Sequence, residues 1–383
     1  MSYAKLLWFI IGSALIVLSV AGCNPISAPI PAVEAPIATS TPMPPIEAPT
    51  LSPEPISTSQ TTKPTPLPTV EIQAERITSQ ALAGNLLGDP TERTVFVVLP
   101  PGYEASEKHY PVVFVMPGGS GSPGVVLSGV KSAMESLLRK GEIQEMILVV
   151  PDGTNSLSGG LFLNSPTLGN YEAYVTEELI NYVDTHFRTI PTRDSRGIAG
   201  CSRGGTTSMR FALKYPDLFS VVASTSGEWD NSPEVWPTDR ERVQRLRELP
   251  KKLGDLDDVT GWWIQMAAGA APDPDNPPFY AEMPFRIVDG HGEFVPEVVA
   301  KILELDATRE LPRYLQQPMQ LRGIRIEHGI YDDWFATSIA SFMQVINDLG
   351  VEHEYVEVPG GHCPYNWEAD TLKYLSEKLV FEE

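Results

Sequence analysis

The chain has 383 residues and a formal net charge of −21, from 49 acidic and 28 basic side chains. No basic block offsets this charge, which argues against nucleic acid as a partner. A chain of this length can hold two domains, but a single α/β domain can also run past about 250 residues.

The first 22 residues predict a signal peptide. Residues 6–22, LLWFIIGSALIVLSVAG, form an apolar run behind Lys5 that is too short and too one-sided for a stable membrane span. The run ends in VAGC, a pattern typical of a bacterial lipoprotein processing site. We expect Cys23 to be lipidated and to anchor the chain to a membrane. The alternative is an ordinary secretory signal in which Cys23 is incidental, and both alternatives place the protein outside the cytoplasm.

Residues 23–70 predict a disordered linker rich in proline, serine and threonine. Positions 24–69 hold 13 of the 36 prolines and contain no glycine, phenylalanine, tyrosine or tryptophan. Such a segment cannot bury enough apolar surface to fold. We expect a semi-extended tether that holds a catalytic domain, residues 71–383, away from the membrane.

From residue 71 onward, β-rich runs alternate with helical ones. This order predicts an α/β-hydrolase fold, with a mostly parallel central sheet and helices on both faces. Strands are predicted at 93–103, 110–121, 145–153, 196–200, 219–229, 322–329 and 353–362, and helices at 171–187, 206–216 and 335–350. The unbroken apolar run at 145–153 predicts a strand buried on both faces. Residues 230–320 form an insertion or variable region, in which GWWIQM predicts an additional strand.

The segment GCSRG, residues 200–204, fits the G-x-S-x-G nucleophile elbow. It lies between a predicted strand and a predicted helix, which is the context that this motif requires. The sharp turn strains the backbone at Ser202, and the chain passes close to Gly200 and Gly204, where side chains would collide. We predict that Ser202 is a catalytic nucleophile.

A serine nucleophile needs a base, and the base needs an acid to orient it. His362 follows the last predicted strand in a Gly-Gly loop, where the chain order serine, acid, histidine of this fold places the base. The acid is expected in the turn after strand 322–329, which offers Asp332 and Asp333. We favour Asp332, and we expect Asp333 to be solvated or to cap a helix.

The oxyanion hole is expected to combine two backbone N–H groups. One is that of Arg203, directly after the nucleophile, and the other comes from the turn PGGSG, with Gly119 favoured. A plain turn is the alternative interpretation of PGGSG. We predict no cofactor and no catalytic metal.

Five segments together resemble the esterase D and feruloyl-esterase family of α/β-hydrolases, which includes the related mycolyltransferases: VVLPPGY, YPVVFVMPGG, YEAYVTEELINYVDTHF, GIAGCSRGG and YPDLFSVVASTSG. The resemblance covers about residues 71–230 and 320–383. It implies a triad of Ser202, Asp332 and His362. The chain departs from the family at Pro117-Gly118, where His-Gly is frequent. The resemblance does not cover residues 230–320, so the family's substrate specificity is not transferred to this chain.

Cys201 precedes the predicted nucleophile and Cys363 follows the predicted base. Because Ser202 and His362 must come within about 3 Å of each other, their chain neighbours must also lie close together. We predict a disulfide between Cys201 and Cys363, which an exported protein permits. The alternatives are two buried thiols or a zinc site that includes His362. The Cys-Ser…Asp…His-Cys arrangement is similar to that of tannases and some fungal feruloyl esterases.

The sequence thus predicts a serine esterase that hydrolyses carboxylic esters through an acyl-enzyme. The family resemblance implies feruloyl or acetyl esters of polysaccharides as substrates. The alternatives are an acyltransferase that uses the same triad with a sugar hydroxyl as acceptor, and a non-catalytic binding lipoprotein. Six tryptophans beyond the nucleophile either wall a substrate cleft or fill the core: Trp229, Trp236, Trp262, Trp263, Trp334 and Trp367.

Overall fold

The structure is a computed structural model, and it describes residues 69–382. The predicted signal peptide at 1–22, the predicted lipidation site Cys23 and almost all of the predicted linker lie outside the described residues. Within 69–382, no helix is both long enough and apolar enough to cross a membrane.

The centre of the described region is an eight-stranded sheet with the strand order β1-β2-β4-β3-β7-β8-β11-β12. In chain order, the strands of the described region are β1 (Glu71–Thr78), β2 (Glu92–Leu99), β3 (Val112–Met116), β4 (Ile147–Val150), β5 (Asn164–Ser165), β6 (Gly169–Asn170), β7 (Arg196–Cys201), β8 (Val221–Thr225), β9 (Phe285–Val288), β10 (His291–Phe294), β11 (Gly323–Gly329) and β12 (Glu354–Val358). From β4 to β12 in this order, neighbouring strands pair in parallel. The pairs β1–β2 and β2–β4 are antiparallel. The predicted mostly parallel sheet is therefore confirmed.

The edge strand β1 was not predicted from the sequence. It pairs with β2 along its whole length, from Glu71 opposite Leu99 to Thr78 opposite Glu92. Ile77 is its one fully buried residue, and the other side chains are exposed or half-buried. Since an edge strand next to water needs no continuous apolar run, its sequence carries little strand signal.

Helices cover both faces of the sheet because each strand alternates its side chains between them. Of β3, Val113 and Val115 pack under α1 (Gly124–Lys140) and α10 (Trp367–Lys378), while Phe114 and Met116 pack on the other face. That second face carries α4 (Arg203–Lys214), α9 (Ala336–Asp348) and the helix at 171–186. All four residues of β4 are buried, as predicted for the run at 145–153.

The predicted helix at 171–187 forms in three continuous segments. It begins as α2 (Tyr171–Ala173), widens into a π-helix at Tyr174–Leu179 and ends as α3 (Ile180–His186). The Asn170 side chain accepts a hydrogen bond from the Ala173 N–H and so caps the first turn.

Residues 230–320 fold into four α-helices, one short 3-10 helix (Leu253–Asp255) and one hairpin within the described region. The helices are α5 (Pro237–Arg245), α6 (Asp258–Ala270), α7 (Pro296–Leu303) and α8 (Ala307–Tyr314), and β9 with β10 forms the hairpin. The prediction of a strand at GWWIQM was wrong, because this segment lies in α6. The helix is buried on all sides from Val259 to Ala268, so its apolar run has no period that distinguishes helix from strand. The signal that could have identified it is the capping box, in which Asp257 accepts the Thr260 N–H.

Candidate active site

Ser202 occupies a sharp turn between β7 and α4. Its backbone lies at φ 60° and ψ −130°, a region that non-glycine residues rarely adopt. The turn is held by two hydrogen bonds, from the Ser202 N–H to the Thr225 carbonyl (3.0 Å) and from the Thr206 N–H to the Ser202 carbonyl (2.9 Å). These contacts fix the serine at the carboxyl end of β7, where it lines a cavity.

The two elbow glycines are required by close backbone approach. A Cβ added at Gly200 would lie 2.5 Å from the Gly204 backbone, and one added at Gly204 would collide with the Met116 carbonyl oxygen. The glycines thus let β7, α4 and the end of β3 meet at one point, as the sequence motif predicts.

His362 and Asp332 are brought together from the loops after β12 and β11. The His362 Nδ1 lies 3.0 Å from Asp332 Oδ2, and the Asp332 side chain is 1% exposed. The other candidate acid, Asp333, is exposed. The favoured candidate is therefore the one that contacts the base, and the Nδ1 contact leaves Nε2 of His362 available for the nucleophile.

An aromatic side chain that sequence analysis did not identify holds the imidazole in place. The buried Phe335 stacks on the His362 ring with 4.3 Å between the ring centres and 13° between the planes. Trp236 from the insertion packs edge-on against Phe335, with 5.4 Å between the ring centres. The orientation of His362 thus depends on Asp332 on one side and on this aromatic pair on another.

Ser202 and His362 line the same cavity, which has a volume of about 350 Å³. In the described part of the chain, no hydrogen bond joins Ser202 Oγ to the His362 ring. Such contacts are often long in a ligand-free enzyme and shorten when substrate binds. The arrangement places a serine hydroxyl and an imidazole at one opening, with a buried carboxylate in contact with the imidazole.

The two expected oxyanion donors lie beside Ser202. Gly119 lines the cavity with φ +55°, and a Cβ at its neighbour Gly118 would lie 3.3 Å from the Ser202 Cβ. Within residues 69–382, neither the Gly119 N–H nor the Arg203 N–H donates a hydrogen bond to a protein acceptor. Two free backbone donors next to a serine are what an oxyanion hole requires.

The Arg203 side chain is a further contact that sequence analysis missed. Its guanidinium donates to the Gly119 carbonyl (3.0 Å) and to Ser158 Oγ (2.7 Å). Because Arg203 begins α4 directly after the nucleophile, its side chain fixes the distance between the elbow and the Gly119 turn.

The structure joins Cys201 and Cys363 in the predicted disulfide, with 5.8 Å between the Cα atoms. Cys201 ends β7 and is buried, and Cys363 follows His362. The bridge therefore connects the loop that carries Ser202 to the loop that carries His362. The two sulfurs are bonded to each other, so neither is a free thiolate that could bind zinc together with His362. No cluster of three or more His, Cys, Asp or Glu side chains in the described region is placed to hold a metal ion.

The insertion supplies much of the cavity wall. Trp236, Asp239, Asp258, Val259 and Trp262 of the insertion line it, together with Glu228, Trp334 and Phe335. Three of the six tryptophans thus wall the cavity. Of these three, Trp334 is half exposed, whereas Trp236 and Trp262 are almost fully buried. The other three, Trp229, Trp263 and Trp367, are buried in the core.

Comparison with known proteins identifies the family of the chain. The sequence model of the family described as "Putative esterase" matches residues 89–284, which is just over half of the 383 residues. The match extends into the stretch after residue 230, where the sequence resemblance ended. It confirms the predicted esterase family, whereas the likeness to tannases stays a prediction.

Several curated relatives carry esterase names. "Esterase Rv1288" of Mycobacterium tuberculosis is 24% identical over 272 residues, which cover 70% of this chain and 52% of the relative. "Endo-1,4-beta-xylanase/feruloyl esterase" of Xylanibacter ruminicola is 29% identical over 142 residues, which cover 35% of this chain and 19% of the relative. The chain thus spans about half the length, or less, of these relatives.

Solved structures show the same fold. A "ferulic acid esterase" superimposes with a TM-score of 0.56 at 20% identity and covers 82% of this chain and 100% of its own. The Staphylococcus aureus fluorophosphonate-binding serine hydrolase FphF superimposes with a TM-score of 0.55 at 15% identity, covering 81% and 98%. These likenesses confirm the α/β-hydrolase fold. With the match over more than half of its length, the chain belongs to the esterase family described as "Putative esterase".

Proposed function

We propose that the protein is a serine esterase that hydrolyses carboxylic esters through an acyl-enzyme. The observation that carries the proposal is the convergence of three chain segments on one cavity. The elbow presents Ser202, the loop after β12 presents His362, and the buried Asp332 contacts the far side of the His362 ring at 3.0 Å.

In the proposed reaction, His362 takes the proton of Ser202 Oγ as the oxygen attacks the ester carbonyl carbon. The negative charge that develops on the carbonyl oxygen is stabilised by the N–H groups of Gly119 and Arg203 and by the N-terminus of α4. Asp332 holds the ring and stabilises its charged form. His362 then gives the proton to the departing alcohol, and water releases the acid from Ser202 by the same steps.

Feruloyl or acetyl esters of polysaccharides are the proposed substrates. Trp334, which is 51% exposed, offers a flat apolar face to an aromatic acyl group or a sugar ring, while the buried Trp236 and Trp262 shape the cavity wall behind it. The cavity volume of about 350 Å³ suits a small ester group better than a long acyl chain. One relative is named as a feruloyl esterase, which supports the same substrate class.

The protein is proposed to act outside the cytoplasm, tethered through a lipid on Cys23 and a linker at 23–70, with the catalytic domain at 71–383. The Cys201–Cys363 disulfide supports this location, because such bridges persist in oxidising compartments. Mass spectrometry of the mature N-terminus would test the anchor, and an unmodified cytosolic chain that begins at Met1 would contradict it.

The direct test is turnover of p-nitrophenyl acetate and methyl ferulate by the full chain in detergent. We expect release of the alcohol product by the wild type and loss of at least about 1,000-fold in kcat for Ser202→Ala. Equal inactivity of both proteins on every ester would overturn the proposal and favour a binding role. Transfer of the acyl group to added sugar instead of water would favour the acyltransferase.

A further inference from the structure

The cavity wall carries three carboxyl groups besides the acid that contacts His362. Glu228 follows β8, Asp239 lies in α5 and Asp258 begins α6. In the described region, none of the three has a Lys, Arg or His nitrogen within 4.0 Å. The catalytic mechanism proposed above uses none of them.

Two of these carboxyl groups are held in place by indole N–H groups. Trp262 Nε1 donates to Glu228 Oε2 at 2.9 Å, and Trp263 Nε1 donates to Asp239 Oδ2 at 3.0 Å. The Glu228 backbone is fixed as well, because its N–H donates to Thr206 Oγ1 at 2.8 Å. A neutral donor orients a carboxylate without neutralising its charge.

Fewer positive groups than carboxyl groups face the cavity. Arg203 is the one Lys or Arg side chain among the described residues that line it, and its guanidinium already donates to Gly119 and Ser158. His362, the one titratable base in the wall, contacts Asp332. The helix N-termini of α4 and α6 add partial positive charge. Burial raises the pKa of Glu228 and of Asp239, so the excess of negative charge in the wall is fully present only at a pH above both of these pKa values.

We infer that the cavity selects its esters by charge, so that an ester carrying an ammonium group is preferred over its uncharged isostere and a carboxylate-bearing ester is disfavoured. Unpaired carboxylates beside the exposed indole of Trp334 form the kind of site that binds ammonium groups in proteins. The inference rests on the proposed esterase activity and adds a charge preference to it, while neutral sugar esters remain accepted.

The test compares choline with 3,3-dimethylbutanol as competitive inhibitors of p-nitrophenyl acetate hydrolysis by the full chain. The two alcohols have the same shape and differ by one positive charge. We expect the inhibition constant of choline to be about tenfold lower, and the preference to shrink when salt is raised from about 0.02 to 0.5 M. 4-Hydroxybutyrate, which is anionic, should inhibit less than either alcohol.

Variants locate the effect. Glu228→Gln, Asp239→Asn and Asp258→Asn should each reduce the choline preference, whereas Asp275→Asn removes an exposed charge elsewhere and should leave it unchanged. Because Asp258 is itself exposed, its replacement does not disturb buried packing. Equal inhibition by both alcohols, no inhibition by choline, or a preference that survives all three variants would overturn the inference. Failure to hydrolyse p-nitrophenyl acetate would instead overturn the esterase proposal.

Discussion

Removal of the Cys201–Cys363 disulfide is the perturbation whose size follows most directly from the fold. The bridge closes a loop with a sequence separation of 162 residues. In the chain-entropy account, closing a loop of this length raises the free energy of the unfolded chain by about 5 kcal/mol. Strain in the native disulfide reduces the resulting stabilisation. We therefore expect Cys201→Ala/Cys363→Ala to lower the free energy of unfolding by about 3–5 kcal/mol.

The assay is urea unfolding followed by tryptophan fluorescence. Both the reference protein and the double variant carry Cys23→Ser, which removes the predicted lipidation site and leaves Cys201 and Cys363 as the only two cysteines of the reference protein. Wild type treated with dithiothreitol is the matched control, and its unfolding curve should coincide with that of the double variant. A loss smaller than about 1 kcal/mol would show that the loop argument is wrong.

The same bridge has an expected effect on activity. It joins the immediate neighbours of Ser202 and His362, so its removal frees the two loops to move apart. Since catalysis is sensitive to displacements of about 1 Å, we expect kcat to fall about tenfold with little change in KM. Unchanged kcat in a variant that has lost stability would show that the bridge serves folding alone.

Three further predictions concern single side chains. Asp332→Asn should lower kcat by about 10,000-fold, whereas the kcat of Asp333→Asn should stay within about twofold of wild type. Of the two carboxylates, Asp332 is the one that contacts the His362 ring. Similar losses of kcat in both variants would refute the assignment of Asp332 as the acid. Arg203→Lys should lower kcat about tenfold at an unchanged Tm, because an ammonium group cannot donate to Gly119 and Ser158 with the geometry of the guanidinium. An unchanged kcat would contradict this positioning role of Arg203. Burial raises the pKa of Asp306 well above its usual value, so the native state holds this proton more tightly than the unfolded chain. The contribution of Asp306 to the free energy of unfolding should then fall by up to about 1.4 kcal/mol per pH unit as the pH rises above about 4. Asp306→Asn should flatten this dependence of the unfolding free energy on pH. Parallel pH profiles of the unfolding free energy for wild type and variant would refute the prediction.

Several parts of the fold and site follow from local sequence. The strand β4 is a short apolar run, as expected for an interior strand that is covered on both faces. The elbow at 200–204 is recognisable because the sharp turn and the close backbone contacts tolerate only glycine at its ends. The proximity of Cys201 to Cys363 follows from the need to bring their neighbours together for chemistry.

Other parts required the tertiary structure. The GWWIQM segment is apolar in every direction, so its sequence does not distinguish a buried helix from a buried strand, and packing decides. The choice between Asp332 and Asp333 depends on which carboxylate turns inward from the same loop. Phe335 beneath His362 carries no motif at all.

The sequence by itself predicted the fold class and the disulfide, and it identified Ser202 and His362 as the candidate nucleophile and base, because each is encoded in contiguous residues or in the chain order of this fold. Only the tertiary structure decided the walls of the cavity. Glu228 follows β8, whereas Asp239 and Asp258 belong to the insertion, and all three line the same cavity as Ser202 because the insertion packs beside the carboxyl ends of the strands. Contacts between distant segments depend on packing of the whole domain, and no local pattern of charge or hydrophobicity specifies them.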